Sequence, residues 1–152
     1  MPRRKDRLPV VLDTNVLIAF HLSTNLQSAN SKVYRLWRNK RKLQLVVSEE
    51  TAEEYFAVLQ RLGISEESFR RLRRRFDARP TITRVSLGSS PTSSRDPDDN
   101  LVLATAIAGE VKFLVTNDRD LLDLPPSEKK RFKFRIVTPA ELLAELNEES
   151  DV

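Results

Sequence analysis

The sequence predicts an α/β protein, a three-layer sandwich in which a largely parallel five-stranded sheet carries helices on both faces. Two observations point there. Short apolar runs rich in β-branched residues and without polar alternation recur along the chain, as in strands covered on both sides, and amphipathic helical patterns fall between them. The run "PVVLD" (9–13) is the first strand, closed by Asp13, and "VLIAF" resumes as a buried helix. "SANSKVYRLWRNKR" (28–41) sets Val33, Leu36 and Trp37 on one helical face, and "LQLVVS" (43–48) is the second strand. "SEETAEEYFAVLQRL" (48–62) aligns Ala52, Tyr55, Phe56, Leu59 and Leu62, and "SEESFRRLRRRFD" (65–77) aligns Phe69, Leu72 and Phe76. "TITRVS" (81–86) follows as the third strand. "SLGSSPTSSRDP" (86–97) has the Gly, Ser and Pro content of a surface loop. "DPDDNLVLATAIAG" (96–109) opens on a proline suited to a first helical position and stops at Gly109. "VKFLVTN" (111–117) and "FKFRIVT" (132–138) complete the strands.

A chain of 152 residues suits one domain, expected to span 1–152 with a core over about 10–146 and short flexible termini. Its net charge of +4 is modest for 26 Lys and Arg against 22 Asp and Glu, so the placement of charge matters more than its total. With no cysteine there is neither a disulfide framework nor a thiolate site, which suits a reducing compartment; the cytoplasm is the expected location. The basic start lacks the apolar run and cleavage site of a secretory signal, and no stretch is long and apolar enough for a membrane span.

In parallel sheets ligands bind beyond the carboxyl ends of the strands, where the winding reverses. The acids fall at such places. Asp13 ends the first strand, Asn117 and Asp118 follow "FLVT", Glu54 lies early in the helix after "LVVS", and Asp96, Asp98 and Asp99 open the helix before "FLVT". Each has an ordinary reading: Asp13 as a helix N-cap, the glutamates of 49–54 as partners of a helix dipole, Asp96 and Asp99 as a capping arrangement around Pro97. Together, however, clustered carboxylates resist ionisation and call for protons or a cation. Hard oxygen ligands suit Mg²⁺ or Mn²⁺.

The ordered set "VVLDTNVLIAF", "SEETAEEYFAVL", "RDPDDNLVLATAIAG" and "FLVTNDRDLLDL", with the "IVTPAELL" ending, resembles a PIN domain, in particular its VapC-like toxin branch. The resemblance covers about 10–146. It implies a five-stranded parallel sheet with an acidic, metal-dependent ribonuclease site, matching Asp13, Glu54, Asp99 and Asp118 to the catalytic, metal-binding acids. It also implies an RNA substrate, a cognate antitoxin partner and often a homodimer. Glu53 points about 100° from Glu54 on a helix, so one of the two faces the rim, and the apolar face favours Glu54. Asp96 is an extra ligand or an N-cap, and Asp120 a supporting group or a first-turn acid. Asn15, Thr116 and Asn117 are placed to orient carboxylates or water. The close "TNDRD" spacing leaves Asp118 and Asp120 as alternatives.

The segment "RRLRRR" places Arg70, Arg71, Arg73, Arg74 and Arg75 as RNA-phosphate contacts, with "RLWRNKRK" (35–42) as a second basic stretch; the alternative is a solvated face. His21, the single histidine, reads as a structural or surface residue. Three competing functions remain. A catalytically inactive PIN-like fold would act as an RNA- or protein-binding module. A phosphoaspartyl hydrolase would need a second acid where Asn15 stands, and a receiver domain would need an acidic pair before the first helix.

Overall fold

The computed structural model describes residues 6–22, 25, 27–78, 80–87 and 97–147, with the backbone alone at 97–100. Residues 88–96 of the loop predicted over 86–97, including Asp96, and the termini at 1–5 and 148–152 lie outside the described residues. Five strands, β1 (Leu8–Leu12), β2 (Leu43–Ser48), β3 (Ile82–Val85), β4 (Phe113–Val115) and β5 (Arg135–Val137), form one sheet of order β3-β2-β1-β4-β5. Every pairing is parallel. Between them run α1 (Thr14–Leu22), α2 (Ala29–Arg38), α3 (Glu49–Arg61), α4 (Glu66–Ala78), α5 (Pro97–Ala108), α6 (Arg119–Leu122), α7 (Pro126–Lys129) and α8 (Pro139–Glu145).

Strand periodicity divides the core into two layers. Val10, Leu12, Leu45, Val47 and Val115 face a cluster shared with α1, α2, α3, α4 and α8, while Val11, Val46 and Leu114 face one shared with α5 and α6. β2 is buried at all six residues, which is why its only polar residues are Gln44 and the terminal Ser48. That glutamine is satisfied: Arg7, also buried, donates Nε–H to Gln44 Oε1 (2.8 Å) and Nη2–H to Pro80 O (2.6 Å), and Gln44 Nε2 donates to Thr83 Oγ1 (2.9 Å). Buried polar groups persist when each finds a partner.

Side-chain caps open several of the helices. Ser48 and Thr51 form a reciprocal box at α3, Thr138 and Glu141 another at α8, and Ser28 accepts from Ser31 N–H at α2. Two strands are shorter than their apolar runs imply: β4 keeps three residues of 111–117, and β5 three of 132–138, where Phe132 and Phe134 turn into the core from outside the ladder. Hydrophobicity there signals burial without strand pairing. Among the described residues no helix is long and apolar enough to cross a membrane.

The chain winds one way from β1 through β2 to β3, and then the other way through β4 to β5. The switch therefore lies between the carboxyl ends of β1 and β4.

Candidate acidic site at the sheet switch point

Asp13 is the residue after β1, and its amide donates to Val115 O at the end of β4 (2.9 Å), so its position is fixed by the sheet itself. Its carbonyl accepts from Val16 and Leu17 and starts α1. Its carboxylate is held on both sides: Thr14 N–H donates to Oδ1 (2.8 Å) and Thr116 Oγ1 to Oδ2 (2.7 Å). Thr116, wholly buried, also accepts from Asp118 N–H (2.9 Å), so one hydroxyl locks the β4 turn to the acid of β1.

Glu54 reaches the same place from α3. Thr14 Oγ1 donates to Glu54 Oε2 at 2.8 Å, which leaves Thr14 bridging the two carboxylates by its amide and its hydroxyl. Glu54 is half-buried while Glu53 is exposed, so the two neighbours do point in different directions. Tyr55, next along, buries its hydroxyl and donates to Leu12 O. Burial pushes that phenol far up, and the negative charges of Asp13 and Glu54 push it further, so it remains a neutral donor under both carboxylates.

Asp118 caps α6: its side chain accepts from Asp120 N–H (2.9 Å). One carboxylate oxygen is thus engaged in the cap, and a carboxylate has a second. Asp120 is exposed in the first turn of α6. Asn15 is exposed on α1, and Asn117 donates to Asn30 Oδ1 at the start of α2 (3.2 Å). Asp98 and Asp99 lie in the first turn of α5, with side chains outside what is described. That helix is tied to the α3 cap, because Thr105 Oγ1 donates to Leu101 O (2.7 Å) and lies 2.9 Å from Ser48 Oγ, both hydroxyl groups being buried.

The structure thus brings Asp13, Thr14, Glu54, Thr116 and the Asp118 backbone into one hydrogen-bonded set, with Tyr55 bonded to Leu12 O at the end of β1 and Asn30 to Asn117. Thr14 was legible only as part of a polar break, since nothing in "DTN" shows that its hydroxyl reaches α3. Among the described residues no group of three or more acidic or histidine side chains forms a ready metal cage. The pair Asp13 and Glu54 nonetheless has the chemistry of a hard-cation site: oxygen donors only, each oriented by a threonine.

Of the five arginines on α4, Arg70 pairs with Glu66 (3.4 Å) and Arg71 with Glu67 (3.1 Å), both pairs exposed. Arg73 lies over the Phe56 ring, 5.1 Å from its centroid. His21 sits at the end of α1, its ring edge-on to Phe20 and Tyr34.

The family model described as PIN domain matches residues 9–120. No match was found among curated proteins. PIN domains are generally nucleases and typically use divalent metals.

Proposed function

The chain belongs to the PIN domain family, and from that premise we propose that it is a metal-dependent endoribonuclease of the VapC-like kind, the toxin of a toxin–antitoxin pair. One observation carries the catalytic part: Asp13 and Glu54, forty-one positions apart, are held on either side of Thr14 beyond the end of the central strand. A fold that needed these acids only as helix caps has no use for joining them.

Asp13 and Glu54, with Asp99 and Asp118, would hold Mg²⁺ or Mn²⁺. When bound, the cation supplies Lewis-acid polarisation of a phosphodiester and charge neutralisation. The protein's own residues do the positioning. Thr14 and Thr116 fix the carboxylate of Asp13 in one orientation, Thr14 fixes that of Glu54, and the buried Tyr55 hydroxyl anchors the end of β1 beneath both. Arg70, Arg71, Arg73, Arg74 and Arg75 on α4 supply positive charge for the RNA backbone, with Asn15, Asn117 and Asp120 as supporting polar groups at the rim. The toxin assignment, the antitoxin partner, a homodimer and a cytoplasmic setting rest on the order of the four motifs.

The test is cleavage of a mixed RNA pool by the purified protein with Mg²⁺, with Mn²⁺ and with chelator, mapping the cut ends. Metal-dependent, position-specific cuts support the proposal. Binding without cleavage under all three conditions would leave the inactive RNA-binding module as the better reading.

A further inference from the structure

Helix α4 presents its arginines to different surroundings. Arg70, Arg73 and Arg74 line an open groove with Glu67 and Asp77, whereas Arg71 and Arg75, one turn apart, face a separate pocket of about 390 Å³ between α1, α2 and α4. His21 from α1, Tyr34 and Arg38 from α2, Asn39 just after it and Ser68 from α4 complete its polar lining, and no carboxylate lines it. Arg71 shares its charge with the exposed Glu67. Among the described residues Arg38 and Arg75 have no acidic partner.

Two nitrogens here are buried without a hydrogen-bond partner, His21 Nε2 and Arg38 Nε. Such atoms are rare in folded proteins, and a bound water or ion is a common reason for them. The aromatic packing keeps His21 in place: Tyr34 stacks on Phe20 at 4.0 Å, and the imidazole stands edge-on to both rings at 5.6 and 5.3 Å. Burial holds the His21 pKa below its usual value. The groups facing it are Tyr34 and Arg38 from α2 and Arg71 and Arg75 from α4, and none offers an opposite charge. Burial likewise raises the Tyr34 pKa to about 12, against the pull of the nearby Arg75.

We propose that this pocket is a phosphate-binding site, in which Arg38, Arg75 and His21 Nε2 hold one phosphoryl group of a nucleic-acid strand or of a free phosphate ester, with Arg71 at its edge. A phosphoryl group offers acceptor oxygens in several directions, matching donors that converge from three helices, and it answers uncompensated guanidinium charge with charge-assisted bonds. A carboxylate offers acceptors in a single plane. Helix α1 joins the two places, with Asp13 before its first residue and His21 in its last turn, roughly 12 Å along the axis at 1.5 Å per residue. The site deepens the RNA-backbone role proposed for Arg71 and Arg75, and because phosphate alone probes it, its failure is distinguishable from a failure of the nuclease reading.

His21 is the sole histidine, so its imidazole NMR signals are unambiguous. The full-length protein is titrated near neutral pH with inorganic phosphate, with a short single-stranded oligonucleotide, and with chloride at matched ionic strength. A saturable shift toward the protonated imidazole with phosphate and not with chloride is expected, weakened about tenfold or more in Arg75→Gln and in Arg38→Gln, and unchanged in the exposed Lys133→Gln. Tighter saturation by the oligonucleotide assigns the site to a nucleic-acid backbone; equal or weaker saturation assigns it to a free phosphate or ester. No saturable response to either probe overturns the proposal, as does wild-type affinity in both arginine variants. A response to a glutamate-rich peptide that phosphate does not displace also overturns it, in favour of an acidic protein partner.

Discussion

At the scale of single residues, the candidate site depends on threonines more than its acids alone suggest. Thr14 contributes an amide to Asp13 and a hydroxyl to Glu54, and carries no charge of its own. Partners that orient ligating carboxylates are worth about 10–100-fold in metal affinity or activity. Thr14→Val should therefore lower metal-dependent RNA cleavage by roughly that factor, and Thr14→Ser, which keeps the hydroxyl, should restore most of it. Equal activity in the valine variant would remove Thr14 from the site. His21 gives a different signature. Burial depresses its folded-state pKa, so the unfolded chain binds the extra proton as pH falls, and the neutral form is the one that folding favours. Its effect on stability is absent above about pH 6.5 and grows as a loss below it. In a buffer without phosphate, wild type should lose melting temperature between pH 7 and 5 more steeply than His21→Gln. Parallel pH profiles would contradict the buried, neutral imidazole.

At the scale of elements, the sequence signals that succeeded were long ones. The six residues of β2, all apolar or small except Gln44, and the 3.6-residue periodicity of α3 and α4 extend over enough positions to be read, and the fold assembled from them is the one observed. The helices α6 and α7, of four residues each, offer no period to detect. In the candidate site, the placement of Asp13 and Glu54 at one edge was legible because strand ends and helix faces have fixed geometry, whereas the Thr14 bridge depends on how closely α1 approaches α3. Gly109 was legible as a stop, but for another reason than a left-handed turn. A Cβ there would stand 2.4 Å from Val46 Cγ1, and the positive φ, 49°, falls on the next residue, Glu110. Gly109→Ala should cost about 1–3 kcal/mol by overpacking α5 on β2, while Glu110→Gly should gain about 0.5–1 kcal/mol by relieving the left-handed backbone. Denaturant midpoints of the two variants check both signs.

Asp118 joins element and site, because its side chain caps α6. Asparagine caps as well as aspartate, and alanine does not. If Asp118 is also a ligand, Asp118→Asn should keep wild-type stability yet lose most cleavage, and Asp118→Ala should lose cleavage together with about 1 kcal/mol of stability. Full activity in Asp118→Asn would leave it a cap alone.

At the scale of the whole molecule, a parallel sheet that reverses its winding between β1 and β4 collects residues distant in sequence at one edge. Asp13 reaches it from β1, Glu54 from α3, and Thr116 from the end of β4. If these carboxylates form the proposed metal site, holding them together should cost stability that a cation relieves, because like charges brought close resist ionisation. Binding to the folded state alone then raises the melting temperature. The phosphate pocket lies along α1 from this edge, so that a single helix would connect the acidic site with a basic one.

The most direct test of a metal-dependent nuclease site compares wild type with Asp13→Asn and Glu54→Gln, measuring RNA cleavage and the melting shift on adding Mg²⁺ or Mn²⁺. Wild type should cleave and melt higher with metal, while both variants remain folded, lose at least about 100-fold in cleavage and gain less from metal. Wild-type cleavage in Asp13→Asn, or a wild-type protein whose melting and RNA cleavage are indifferent to both ions, would contradict this reading of the site.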